Sequence, residues 1–404
     1  NANSIIYDIH ILPSILSASF QGKRATAIFS EHDNDFGNVI HFHNSGIIFE
    51  NLHGKLGDGN FTLQGSIETE SAIDGVIDFT WSGPADDKSL FAVLPRTVGD
   101  TFEKLKLTDG TSVMDDGNVT IRGDDWSELV TEFTGNIAMK DVSINVGIPL
   151  NKIHGTIHVD GKYDVEALSK LMLEFDIKEM TALGRSISYL DGTLRLDTMK
   201  QRMVFVGMRG ESSSGGITLD GWIAVDETKL FEIKIFVAGV ELARNNADGN
   251  QATLQGELTG WLSIAGVQGD MNSWRGVGML RVQNGYLAIN PLSIAAMQVM
   301  QFAIPSASSI TGAEIDIYID EDQMILDHIK LTCSESPYSD LILEGTGTID
   351  TETFNLDARL HPRAGLPILR DITGAIFDQL YSIDVTGELL DPTVTVVIFP
   401  FLSP

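Results

Sequence analysis

The residues with a claim to chemistry are few and scattered. His41 and His43 form a His-x-His pair on one face of a strand-like stretch, with His32, Asp33 and Asp35 near in sequence. A metal site needs three or four converging ligands, which this spacing does not supply by itself. We read these as surface histidines on an acidic sheet. The acidic turns at Asp58 and at Asp115 to Gly117 lack the Asp-x-Asp-x-Asp-Gly run and distal Glu of a calcium loop. Cys333 is the single cysteine, so an internal disulfide is excluded. It shares a strand face with Ile329 and Leu331, the setting of a small apolar residue rather than a nucleophile. The chain has no Gly-x-Ser-x-Gly, no phosphate loop and no His-Glu-x-x-His. The expectation is a protein that is not an enzyme, with no catalytic residues, no metal and no cofactor.

Composition narrows the partners. With 27 Lys plus Arg against 56 Asp plus Glu, the net charge is −29. That field repels phosphate backbones, so nucleic acid is excluded as a partner, and a bare anionic membrane is disfavoured. No run reaches the ~18 apolar residues that a spanning helix requires. The longest, Leu292 to Ile304, is broken by Gln298 and Gln301. No secretory leader is visible at Asn1, so any membrane anchor is expected outside this sequence.

The elements that would position a site read as strands. Ile77, Phe79 and Trp81 alternate with Asp78 and Thr80. Val142, Ile144 and Val146 oppose Ser143 and Asn145, and Leu173, Phe175 and Ile177 oppose Glu174 and Asp176. The same period of two carries Ile233, Ile235 and Val237, then Ile315, Ile317 and Ile319, and finally Leu356 and Leu360 around Ala358. One apolar and one polar face is the pattern of antiparallel sheet covered on a single side.

A five-residue signature (apolar, any, Gly, any, apolar) recurs at Leu63 to Ile67, Ile153 to Ile157, Leu190 to Leu194, Leu219 to Ile223, Leu254 to Leu258 and Val385 to Leu389. A longer variant spans Leu343 to Ile349. Glycine there removes a side chain from the apolar face, permitting a bend or a close approach. Short helices are expected at Leu94 to Leu107, Asp124 to Phe133, Asp164 to Met172, Pro291 to Ala303 and Leu366 to Leu380. They are too few to cover every apolar strand face. The expected fold is mainly β: an elongated, curled antiparallel sheet built from repeats, with a few short helices. Its apolar residues either close on themselves as a sandwich or line a groove. A change in the text near Gly269 to Ser273 suggests a repeat-built region over 1–270 and a C-terminal module over 271–404.

That C-terminal stretch carries Gly276 and Gly278, an Asn284-Gly285 turn, Pro291, then Gly345 and Gly347 with Ile349 and Asp350, and Gly387 with Asp391 and Pro392. In this order it resembles the AsmA-like C-terminal region of the AsmA, YhdP and TamB group of bacterial envelope proteins. Upstream, Phe133 to Gly161 is similar to the repeating strand units of the same group. The resemblance implies a curled sheet with an apolar groove along which phospholipid acyl chains slide between two membranes, headgroups remaining in water. The alternating aliphatic residues named above would line that groove. It also implies residence in the periplasm or cell envelope of a Gram-negative-type bacterium, a part in outer-membrane biogenesis, and tethering through an anchor or partner not in this chain. Envelope protein partners would meet its ends. The alternative is a structural envelope protein whose sheet edges pair with itself or a partner.

Overall fold

The computed structural model describes residues 7–10, 14–20, 23–29, 38–89, 107–145, 149–165, 167–182, 185–242, 255–286, 310–334, 340–351, 353–364, 381–388 and 393–398. The chain forms two compact units, Asn1–Gly210 and Glu211–Pro404. The division expected from the text near Gly269 falls inside the second unit, where Val267 pairs with Asp270 across a tight turn.

The first unit contains β1 (Tyr7–His10), β2 (Ser14–Phe20), β3 (Lys23–Phe29), β4 (Val39–His43), β5 (Gly46–Leu56), β6 (Gly59–Glu68) and β7 (Ile73–Pro84). It continues through β8 (Thr111–Gly123), β9 (Val130–Asn145), β10 (Pro149–Asp164), β11 (Ala167–Ala182) and β12 (Arg185–Asp197), with β13 (Arg202–Ser212) at the division. From β4 to β12 each strand pairs antiparallel with the next. One edge of β5 is shared: β4 covers Gly46 to Glu50, and β3 covers Gly54 to Leu56. The second unit runs through β14 (Gly215–Ala224), β15 (Leu230–Glu241), β16 (Gln255–Val267), β17 (Asp270–Tyr286) and β18 (Ile310–Asp320). Then come β19 (Gln323–Ser334), β20 (Asp340–Asp350), β21 (Asn355–Ala364), β22 (Tyr381–Glu388) and β23 (Thr393–Ile398). Here too every strand pairs antiparallel with its successor. The fold is therefore mainly β: β4 to β12 and β14 to β23 run as open antiparallel meanders, while β1 pairs with β4 and β3 with β5 in the first unit.

Two expected helices are strand and turn instead. In Asp124 to Phe133 the Asp125 carboxylate accepts the Ser127 N–H at 2.7 Å, and the Glu128 N–H donates to the Asp125 carbonyl at 3.3 Å. These local bonds compete with the helical ladder and close a turn from which β9 departs at Val130. In Asp164 to Met172 the chain turns through Val165 (φ 50) and returns as β11, with Asp164 opposite Ala167. The alternation of Leu171, Leu173 and Phe175 outweighs the weaker helical spacing. Apart from Leu107, which is not helical, the segments at Leu94 to Leu107, Pro291 to Ala303 and Leu366 to Leu380 lie outside the described residues.

The recurrent glycine is a backbone device. In all six signature copies it has positive φ: Gly65 150°, Gly155 158°, Gly192 148°, Gly221 148°, Gly256 130° and Gly387 102°. Residues with a Cβ rarely adopt these angles, so the signature glycine answers a requirement of the backbone itself. In two copies a left-handed residue precedes the glycine by three positions, Lys152 (φ 53) before Gly155 and Tyr189 (φ 52) before Gly192. At Lys152 the pairing register also shifts, so an added residue bends the strand there.

On the polar face, Asn136 donates its backbone N–H to the Asp116 carboxylate at 2.8 Å, holding that carboxyl below its ordinary value of 3.8. The hydrogen bond to His154 at 2.8 Å does the same for Asp141. A depressed folded-state pKa contributes stability that is present above the unfolded value and lost as pH falls through the folded one. The unfolding midpoint should therefore drop between about pH 5 and about pH 2.5. Asp116→Asn should flatten part of that drop, read from urea midpoints at the two pH values.

Candidate functional site: the aliphatic sheet face

Strand register gathers the candidate residues into rows that cross the sheet at right angles to the strands. In the second unit one row runs Ile235, Leu262, Gly278, Ile317, Leu326, Gly347, Ala358, Val385, Val394. A second runs Ile233, Ile264, Gly276, Ile319, Met324, Ile349, Leu356. A third runs Val237, Gly260, Leu280, Ile315, Ile329, Gly345, Leu360, Ile383. All eight candidates from this unit thus fall on one face in three adjacent rows.

The first unit repeats the arrangement. Phe49, Gly65, Ile77, Val119, Phe133, Gly161 and Leu171 form one row. Trp81, Met114, Ile137, Ile157, Phe175 and Gly192 form another. Phe79 lies between Leu63 and Gly117, while Leu173 lies between Val159 and Leu194. Val142 and Ile177 belong to a buried cluster with Met139, Ile153, Met180 and Ala85, against which Ile144 packs. Val146 lies outside the described residues.

Three glycines of the first unit, Gly59, Gly117 and Gly161, are covered by rings. Phe79 stands opposite Gly117 and Phe133 opposite Gly161, and each ring lies across its glycine. A methyl group at Gly161 would sit 2.1 Å from Cζ of Phe133, and one at Gly117 2.6 Å from Cε1 of Phe79. Trp81 covers Gly59 in the same way and is itself buried. Of the aromatic candidates, Phe79 and Trp81 therefore contribute rings held by their own sheet. Phe231 and Trp274, edge to face at 5.6 Å, extend the theme around Gly266 in the second unit.

Burial along the face is graded. Leu343, Leu360 and Ile383 are closed off, at 0, 2 and 0% exposure. Ile233, Ile235, Val237, Leu262 and Ile264 on β15 and β16 are only half-buried. In the first unit Val142 is fully buried, whereas Ile157, Leu173, Phe175 and Leu194 are half-buried.

The polar candidates take separate partners. His41 Nε2 lies 3.2 Å from the Glu50 carboxylate, and His43 Nδ1 lies 2.8 Å from Ser45 Oγ. His32, Asp33 and Asp35 lie outside the described residues, among which no three His, Cys, Asp or Glu side chains gather as metal ligands. Cys333 stands opposite Ile310 and Leu341 in register. Among the described residues no helix is long and apolar enough to cross a membrane, which says nothing of strands.

Sequence reasoning missed Val119, Ile137, Val159, Leu262 and Leu280 as members of the rows. The register shift between Met114 and Asn118 hides the alternation of β8. Gly276 and Gly278 leave two positions of β17 without side chains. No family model, no curated protein and no solved structure matches the chain.

Proposed function

We propose that the aliphatic face binds the acyl chains of phospholipids or related lipids and lets them move along the sheet, without catalysis. The observation that carries this reading is the set of in-register aliphatic rows, half-buried on β15 and β16 and crossed by no charged side chain. Burying apolar surface yields about 25 cal/mol per Å², so a two-chain lipid gains many kcal/mol wherever it lies on such a face. Rows of similar aliphatic residues give little preference for one position over the next, which favours sliding over tight storage. The polar outer face keeps the opposite side of the sheet in water. With the resemblance to AsmA-like proteins, the reading extends to lipid transfer between the membranes of a Gram-negative-type envelope.

A second reading, assembly through strand edges, is favoured by β23. Its sequence Thr-Val-Thr-Val-Val-Ile has high strand propensity and lacks charge, Pro and Gly, the features that blunt an edge. Among the described residues only β22 pairs with it.

The test is native mass spectrometry of the purified chain with lipid extraction. Several co-purifying lipids per chain are expected, reduced at least severalfold in Ile235→Asp and in Val237→Asp, with circular dichroism unchanged. A folded chain free of lipid that forms concentration-dependent polymers would shift the assignment to assembly.

A further inference from the structure

The face opposite the aliphatic rows is polar along most of the second unit, yet from β15 to β19 it carries large apolar side chains. In register, Phe236 pairs with Trp261 and Trp261 with Met279, while Val277 pairs with Tyr318 and Tyr318 with Ile325. Phe236, Trp261, Val277 and Tyr318 are 45, 37, 43 and 46% exposed. A cluster of this kind on an otherwise charged face marks an interaction site more often than scattered apolar residues do. A shallow cavity of about 690 Å³ opens beside it, with Val277, Tyr318 and Ile325 in its lining and Glu232, Asp320 and Asp327 among its polar groups.

The charges around the patch decide what can dock. Its bordering cations on β15 and β17 are already engaged: Lys234 with Glu232 at 2.9 Å, Arg275 with Asp320 at 3.0 Å and Glu321 at 3.1 Å, Arg281 with Glu314 at 3.2 Å. On β19, His328 stands opposite Asp316 and Lys330 opposite Glu314 in register. Asp316, opposite Met279 in register, and Asp327, exposed at the register shift of β19, form no ion pair among the described residues. Free carboxylates beside exposed rings attract cationic groups on apolar stems, because guanidinium and ammonium are held by both the ring face and the carboxylate. Anionic headgroups are repelled. A second copy brings the same −29 charge.

We propose that this outer-face patch is a docking site for a basic segment of a partner protein, with Arg or Lys on Asp316 and Asp327 and apolar side chains on Trp261 and Tyr318. It lies on the face opposite the acyl-binding rows and stands or falls separately from them.

The experiment uses the full chain and a labelled ten-residue peptide of alternating Arg and Val, followed by fluorescence anisotropy at two salt concentrations. Saturable binding is expected, weakened at least tenfold in Asp316→Asn/Asp327→Asn and in Trp261→Leu, each checked by circular dichroism. The control Glu174→Gln/Asp176→Asn removes the same charge from exposed positions on β11 in the first unit and should leave affinity within about twofold. Absence of binding, an equal loss in the control pair, or equal affinity for a Glu-Val peptide overturns the proposal. So does a labelled neutral hexasaccharide that binds the full chain and is lost in Trp261→Leu while the Arg-Val peptide does not bind.

Discussion

Gly221→Ala is expected to lower the stability of the second unit by about 2 kcal/mol or more, the upper part of the range for a residue forced into a sparsely populated backbone region. Gly221 has φ 148°, and a Cβ there would lie 2.1 Å from the Glu232 carbonyl oxygen on β15. Relief requires moving the β14–β15 ladder, where Gly221 stands opposite Ile233. Gly65→Ala should act alike in the first unit, with 2.1 Å to the Val76 carbonyl oxygen. Gly216, on the same strand as Gly221, offers the comparison. Its Cβ would meet no heavy atom within 4 Å, so Gly216→Ala should stay within about 0.5 kcal/mol. Because the chain has two compact units, hydrogen exchange resolved by strand is a better readout than one unfolding midpoint. Equal protection of β14 and β15 in Gly221→Ala and Gly216→Ala would show that the signature glycine is not a backbone requirement.

Strand alternation was the most legible property of this sequence, because a half-buried strand must repeat every two residues whatever its neighbours are. Ile77, Ile235 and Ile317 were placed on the apolar face by that rule alone. The glycine signature was legible as a recurrence. Its positive φ was not, since sequence separates a bend from a close approach only through backbone geometry. Register was hidden altogether. That Ile235 and Ile317 share one row depends on the intervening Leu262 and Gly278, which no spacing in the text specifies. The outer patch had left a sign. Ile235-Phe236-Val237 and Trp261-Leu262 break the alternation with consecutive apolar residues, as strands covered on both faces do. The expected helix at Asp124 failed for a local reason, because Asp125 and Ser127 satisfy the backbone in a turn before any helical ladder forms.

Graded burial predicts that the two ends of the aliphatic face will respond differently to the same chemical change. Leu343 has no exposed surface and stands between Leu331 and Pro362 in register, so Leu343→Ala removes a fully packed side chain and leaves a cavity. The expected loss is about 2–5 kcal/mol, the range for buried Leu truncations. Ile235 is only half-buried, between Leu219 and Leu262. Ile235→Ala leaves less of a cavity because water or a ligand already reaches part of the site, and should cost roughly 1 kcal/mol, well short of a fully buried truncation. Lipid occupancy should run the other way. Ile235→Ala should lower the number of co-purifying acyl chains, whereas Leu343→Ala, assayed where it remains folded, should leave that number near wild type. Side chains that hold the sheet together are thus separated from side chains left for a ligand to cover. Equal destabilisation at both positions would mean that the face is sealed along its whole length, and acyl binding on β15 and β16 would lose its physical basis.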